Sequence, residues 1–339
     1  MFPLDYTLFT DAVFIFALAF LFDIVLGEIP DRIHPTVGIG KIIGYFRPKM
    51  KNKNAKIEKF NGVLLLVVVA FLVAAPVFLG LFAIRFYSNA IPYIGTIPHI
   101  GSILYIIIGA ILFKSTFAIK CMRHYTVPIA TALKAKDLET ARKYLPYIVR
   151  RDPNSLNEEQ ITSAAVESIA ESTTDGITGP FFFFALLGVP GAFIYRVINT
   201  LDSMVAYKTP ELRNIGWFSA KMDTTINYIP SRLTSLIMVI AAGLAGENAK
   251  ESWRILKRDR NKTASPNAGY TIGAMAGALE TQLAKPEHYT LGDKGPITPE
   301  DIFKALRIMT ITAILFGLIT ITLIIPIITL KILLTTIII

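Results

Sequence analysis

Apolar blocks alternate with polar, basic stretches along the whole chain. Four blocks read as membrane-spanning helices, over residues 8–26, 62–84, 101–119 and 308–330. At a rise of about 1.5 Å per residue, about twenty apolar residues cross the hydrocarbon core of a bilayer. Pro76 is expected to kink the second span. Two further blocks, 179–197 and 228–246, have the length but border polar runs, and Pro190-Gly191 sits within the first. They read as re-entrant or spanning segments, because irregular backbone is tolerated at membrane depth where it lines a cavity. The polar stretches also carry helical signals. Residues 120–178 read as a helical insert, with a hairpin over Pro128–Tyr147 and a helix starting near Ser155 or Asn157, where Ser155-x-x-Glu158 has capping-box spacing. Residues 247–307 open with an amphipathic basic helix, Glu247–Lys262, containing Trp253 and suited to a headgroup surface. The expectation is a single polytopic domain over 1–339, an all-α integral membrane protein. It would be a multi-pass helical bundle with re-entrant or broken helices and cytoplasmic helical loops.

Composition agrees with that pattern. The 339 residues are 53% hydrophobic and only 17% charged, with a mean hydropathy of +0.52, which excludes an ordinary soluble enzyme. The net charge of +9 does not point to nucleic acid, because Lys and Arg lie mostly in loops that flank apolar segments. Eight of them lie in the loop 27–60, eight in 120–157 and ten in 250–307. The positive-inside bias puts these three on the cytoplasmic side, with the loop from Arg85 to Ile100 outside. Keeping them there favours re-entrant segments over simple spans at 179–197 and 228–246. The single Cys121 excludes an internal disulfide or a cysteine metal cluster, and four scattered histidines argue against a dedicated zinc site.

The candidate chemistry concentrates between Glu167 and Arg232. Glu167, Glu171 and Asp175 are spaced by four, which on a helix would stack three carboxylates on one face. Such a face can hold Mg²⁺, which prefers oxygen ligands and commonly bridges to phosphates. Arg196, Asn199 and Asp202 follow at intervals of three, and a second polar run brings Asp223, Asn227 and Arg232. Charged groups beside bilayer-grade apolar sequence are costly and commonly mark function. Outside this stretch, His34 lies near Asp23 and Glu28 in a Gly- and Pro-rich loop. Ser265-Pro266-Asn267 precedes a helix of small residues, Gly273–Ala278, whose start could cap itself or bind an anion. Close helix packing is the alternative use of those small residues.

These motifs, in this order, resemble the CobD/CbiB family of cobalamin biosynthesis, the adenosylcobinamide-phosphate synthases. The matching pieces are His34-Pro35-x-x-Gly38, Arg151-Asp152, Glu167-Ser168-x-Ala170-Glu171-Ser172-x-x-Asp175-Gly176 and Tyr195-Arg196-x-x-Asn199-Thr200-Leu201-Asp202-Ser203-Met204. Asn227-Tyr228-Ile229-Pro230-x-Arg232-Leu233, Ser265-Pro266-Asn267-Ala268-Gly269 and Ala274-Met275-Ala276-Gly277-Ala278-Leu279 complete the series. Thr224 stands where the family pattern has the second acid of a pair. The resemblance implies a multi-pass cell-membrane ligase with its site facing the cytoplasm. It would join aminopropanol or its phosphate to a carboxylate of adenosylcobyric acid, with ATP and Mg²⁺ as cofactors, the corrinoid as substrate and other cobalamin-pathway membrane enzymes as partners. On that reading Glu167, Glu171 and Asp175 hold Mg²⁺, and Asp202, Asp223, Glu171 and His34 are catalytic. Arg196, Arg232, Asn199, Asn227, Ser265 and Asn267 bind substrate or phosphate. Two alternatives stand beside it. An intramembrane Mg²⁺-dependent prenyl- or phosphoalcohol-transferase would use similar acids but leaves His34 and Ser265-Pro266-Asn267 without a task. A transporter is disfavoured by four clear spans and no internal repeat.

Overall fold

The computed structural model describes residues 6–90 and 100–338, with side chains over 10–87 and 101–324. Most of the expected external loop, and the side chains of the apolar tail after Lys331, lie outside the described residues. The helices are α1 (Tyr6–Val25), α2 (Pro35–Lys49), α3 (Ala55–Ala90), α4 (Ile100–Lys114), α5 (Ile119–Lys134), α6 (Leu138–Tyr144) and α7 (Glu158–Thr173). They continue with α8 (Gly179–Val205), α9 (Trp217–Ile226), α10 (Tyr228–Leu244), α11 (Ala249–Asp259), α12 (Ala268–Ala278) and α13 (Pro299–Ile338). Strands β1 (Leu283–Lys285) and β2 (Tyr289–Leu291) form one antiparallel hairpin. Among the described residues, four helical stretches are long and apolar enough to cross a membrane: Ala55–Tyr87, Gly101–Lys134, Glu158–Val205 and Pro299–Ile324. The α9–α10 pair, bent by 45°, makes a fifth if counted as one span. The fold is that of a multi-pass helical membrane protein.

The chain forms two compact units, each assembled from separated segments. Unit 1 comprises Met1–Phe117, Pro180–Thr225 and Leu318–Ile339; unit 2 comprises Ala118–Gly179 and Ile226–Gly317.

In unit 1, α1 and α4 pack against each other, with Ile15 set so close to Gly109 that a Cβ there would lie 2.8 Å from it. Around them an aromatic core forms, in which the Phe113 and Phe184 rings stack at 4.1 Å and Phe16 meets Phe181 edge-on at 4.8 Å. α3 continues through Pro76 as one helix and leaves Phe71, Phe78 and Phe82 exposed, as a lipid-facing surface requires. α8 is broken, as Pro190 foretold. Proline has no N–H to donate and restricts the residue before it. The backbone gives way at Gly188 (φ 68°, ψ −156°), a conformation that a side chain would strain.

In unit 2, α5 and α6 form the expected hairpin, with Ala141 and Leu145 buried. The start of α7 falls at the second of the two expected places. Asn157 is the N-cap and Gln160 its reciprocal partner, completing a capping box, while Ser155 closes a separate 3₁₀ turn. α11 differs from the surface helix expected. Its buried stripe of Ser252, Ile255, Leu256 and Asp259 packs on α12, and Ser252 donates to the carbonyl of Ala274 at 2.8 Å. The small residues of α12 serve that contact, since a Cβ on Gly277 would lie 2.4 Å from the carbonyl oxygen of Glu251.

Candidate functional site

In unit 2, Glu167 and Glu171 lie one turn apart on α7, but the stacking stops there. Residues Thr174–Thr178 form a π-helical turn directly after α7, so the four-residue spacing no longer keeps Asp175 in register. Among the described residues no group of three acidic, histidine or cysteine side chains could hold a metal ion. Glu167 is also fully engaged. Its Oε2 accepts from Arg151 Nη2 at 2.7 Å and from the Tyr289 hydroxyl at 2.8 Å, and its Oε1 accepts from Ser163 at 3.0 Å. The expected Mg²⁺ set of Glu167, Glu171 and Asp175 therefore does not fit. What forms instead is a mixed cluster in which Arg151 and Lys285 lie within electrostatic reach of Glu171. Burial, then the charges of Glu167 and Glu171, push the Tyr289 hydroxyl above its ordinary value, so it stays protonated and donates.

A second group in unit 2 gathers Arg232, Asn267 and Ser265. The Arg232 guanidinium lies 3.4 Å from the Tyr228 ring centre and 4.3 Å from that of Tyr270, held between two aromatic faces. Its Nη1 donates to Asn267 Oδ1 at 3.2 Å and to the Tyr228 carbonyl at 2.6 Å. Asn267 begins α12 but its side chain caps nothing, contrary to the capping role open to it, because its oxygen serves Arg232 and Ser231. Ser265 Oγ accepts the Asn267 N–H at 3.3 Å. Asn227 is buried at the start of α10.

In unit 1, Arg196, Asn199 and Asp223 form a chain. Arg196 Nη1 donates to Asn199 Oδ1 at 3.3 Å, and Asn199 Nδ2 donates to Asp223 Oδ1 at 3.4 Å. Asp202, three residues beyond Asn199 on α8, lies within electrostatic reach of Asp223. His34 belongs to another network. Its Nδ1 accepts the Thr36 N–H at 3.1 Å as the N-cap of α2, so the ring proton sits on Nε2, which donates to Glu28 at 2.7 Å. Lys114, 2% exposed, bridges Glu28 at 3.0 Å and Asp23 at 3.2 Å. Burial alone would raise the Glu28 carboxyl, but hydrogen bonds and charge from His34 and Lys114 outweigh it and hold the group below the usual glutamate value.

The sequence that builds these clusters matches a known family across most of the chain. The family model described as CobD/Cbib protein matches residues 16–309. The chain belongs to the CobD/Cbib family. A probable cobalamin biosynthesis protein CobD of Methanothermobacter thermautotrophicus is 42% identical over 307 residues, covering 90% of this chain and 96% of that protein. The cobalamin biosynthesis protein CobD of Dehalococcoides mccartyi is 36% identical over 313 residues, covering 92% and 97%. No solved structure matches. As a CobD/Cbib protein the chain is a biosynthetic enzyme of cobalamin formation, acting on corrinoid-related substrates.

Three members of these clusters, Lys114, Arg151 and Tyr289, do not stand out as site residues in the sequence. Lys114 had a usable signal, a lone cation at the end of an apolar block. Arg151 stood in a recognised dipeptide but without a role. Tyr289 gave no local signal, since only the β1–β2 hairpin brings it to α7.

Proposed function

We propose that the protein joins aminopropanol, or its phosphate, to a carboxylate of adenosylcobyric acid by ATP-dependent amide formation, giving cobinamide or its phosphate. The observation carrying this reading is the Arg196–Asn199–Asp223 chain with Asp202 beside it. Amide formation needs a carboxylate activated by phosphoryl transfer, cations and amides to hold oxyanions, and a base for the incoming ammonium. Arg196 and Arg232 supply guanidinium forks suited to phosphate or carboxylate. Asn199, Asn227 and Asn267 supply amides for the corrinoid periphery, and Asp202 or Asp223 takes the ammonium proton. ATP would supply the activating phosphoryl group, and Mg²⁺ would offset the charge of its phosphates. The enzyme works in the cell membrane with this chemistry facing the cytoplasm.

Membranes containing the protein, incubated with adenosylcobyric acid, Mg-ATP and either aminopropanol or aminopropanol phosphate, are expected to yield a cobinamide species. A lipid-linked product or vesicle uptake of substrate, with no new amide, would refute the reading. Asp202→Asn should lower the rate about 10²- to 10³-fold, as loss of one transition-state electrostatic partner does. Full activity in that variant would remove Asp202 from the mechanism.

A further inference from the structure

The cluster on α7 has a use other than holding a cation. Arg151 is nearly enclosed, with 15% of its side chain exposed, and Nη2 is committed to Glu167. Its Nη1 is fully buried and makes no hydrogen bond. A buried cationic N–H is costly to leave unsatisfied, and its best complement is an oxyanion, which forms a charge-assisted bond. Lys285 adds a second positive charge within reach of Glu171, and neither of these two side chains is fully buried. Glu167 cannot serve a ligand, because Arg151, Tyr289 and Ser163 already fill both its oxygens. Its task is to fix the guanidinium plane. Glu171 is different, since its carboxylate meets Glu167, Lys285 and Arg151 through charge.

We propose that Arg151 and Lys285 form an oxyanion-binding subsite, with Glu167 and Tyr289 as positioning residues and Glu171 available to an ammonium on the same ligand. This rests on the amide-forming reading for its role in turnover, but not for the binding itself. The ligand class is a phosphate or carboxylate group, and an amine bearing such a group would satisfy both Arg151 and Glu171.

The test uses the full-length protein in detergent micelles, with inorganic phosphate and acetate as separate probes. Arg151→Gln alone would strand Glu167, which is 3% exposed. The balanced variant Arg151→Gln/Glu167→Gln replaces the ion pair by two amides that can bond each other. By calorimetry the wild type is expected to bind one of the two anions. The balanced variant, melting at the wild-type temperature, should bind it about tenfold more weakly or worse, the loss of one charge-assisted bond. Tyr289→Phe, which only frees Glu167, should weaken binding by about threefold and raise the KM of the anionic substrate with little change in kcat. Phosphate preference assigns the subsite to a phosphate-bearing ligand, and acetate preference to a carboxylate. A folded balanced variant with wild-type affinity, or a wild type that binds neither anion, overturns the proposal. Arg151-dependent anion binding without any amide product would leave the subsite standing and remove the proposed reaction. Amide product with an unchanged KM in the balanced variant would do the reverse.

Discussion

His34 has both ring nitrogens engaged, one by the Thr36 N–H and one by Glu28. As an N-cap it should be replaceable by asparagine, which offers an acceptor at similar reach. His34→Ala is expected to cost about 1 kcal/mol of stability, and His34→Asn clearly less, by thermal melting in detergent. Equal losses in the two would remove capping from its role. His34 stands out in the sequence through its neighbours Asp23 and Glu28, but nothing in that pattern shows that a helix begins at the next residue and engages its Nδ1. Asp259 carries a pH prediction. Burial would raise its carboxyl, but hydrogen bonds from Arg258 and Lys262 and the Gly292 N–H hold it at about 2. A carboxyl depressed in the folded state stabilises above its unfolded value and loses that contribution as it protonates. Stability from Asp259 is therefore expected to be constant at neutral pH and to fall from about pH 4 toward pH 2. Asp259→Asn should flatten that part of the melting-temperature profile while lowering stability at pH 7, and an unchanged acid limb would contradict the assignment.

At the scale of elements, the contact between α11 and α12 depends on the absence of side chains. Gly277→Ala would set a methyl against the Glu251 carbonyl, and overpacking of this kind costs about 1–3 kcal/mol. The melting temperature should drop accordingly, whereas Gly44→Ala on α2, where a Cβ meets nothing within 4 Å, should be tolerated. The α11 helix was legible as amphipathic, but periodicity does not say whether an apolar stripe meets lipid or another helix. α12 is what takes it. The break in α8 was legible because proline acts locally, through its own ring and missing N–H. The loss of register at Asp175 was not, since a π turn leaves the four-residue spacing of the sequence intact.

At the scale of the molecule, the apolar blocks at 62–84, 101–119 and 308–330 fall within helical stretches long enough to cross a membrane, and Glu158–Val205 takes in the block 179–197; these and the family motifs are linear properties of the chain. The β1–β2 hairpin that delivers Tyr289 to Glu167 joins residues 122 apart, and such pairings leave no periodic trace. Loop charge nevertheless makes a global prediction. In a Cys121→Ser background, cysteines introduced as Lys53→Cys and Lys257→Cys should react with a membrane-impermeant maleimide only after cells are opened. Labelling of either in intact cells would invert the assigned topology.

The Lys114 bridge also bears on how the chain is made. Until α1 and α4 meet, an ammonium sits at the end of an otherwise apolar helix with neither Asp23 nor Glu28 to balance it. Emerging alone, α4 can keep that ammonium solvated only by holding its end at the interface, and it can bury it only once the acids at the end of α1 are there to pair with it. The two helices thus have reason to leave the insertion machinery together, α1 being retained until its partner, some ninety residues later, has been synthesised. The ion network that orders the finished protein would then also set the timing of its assembly.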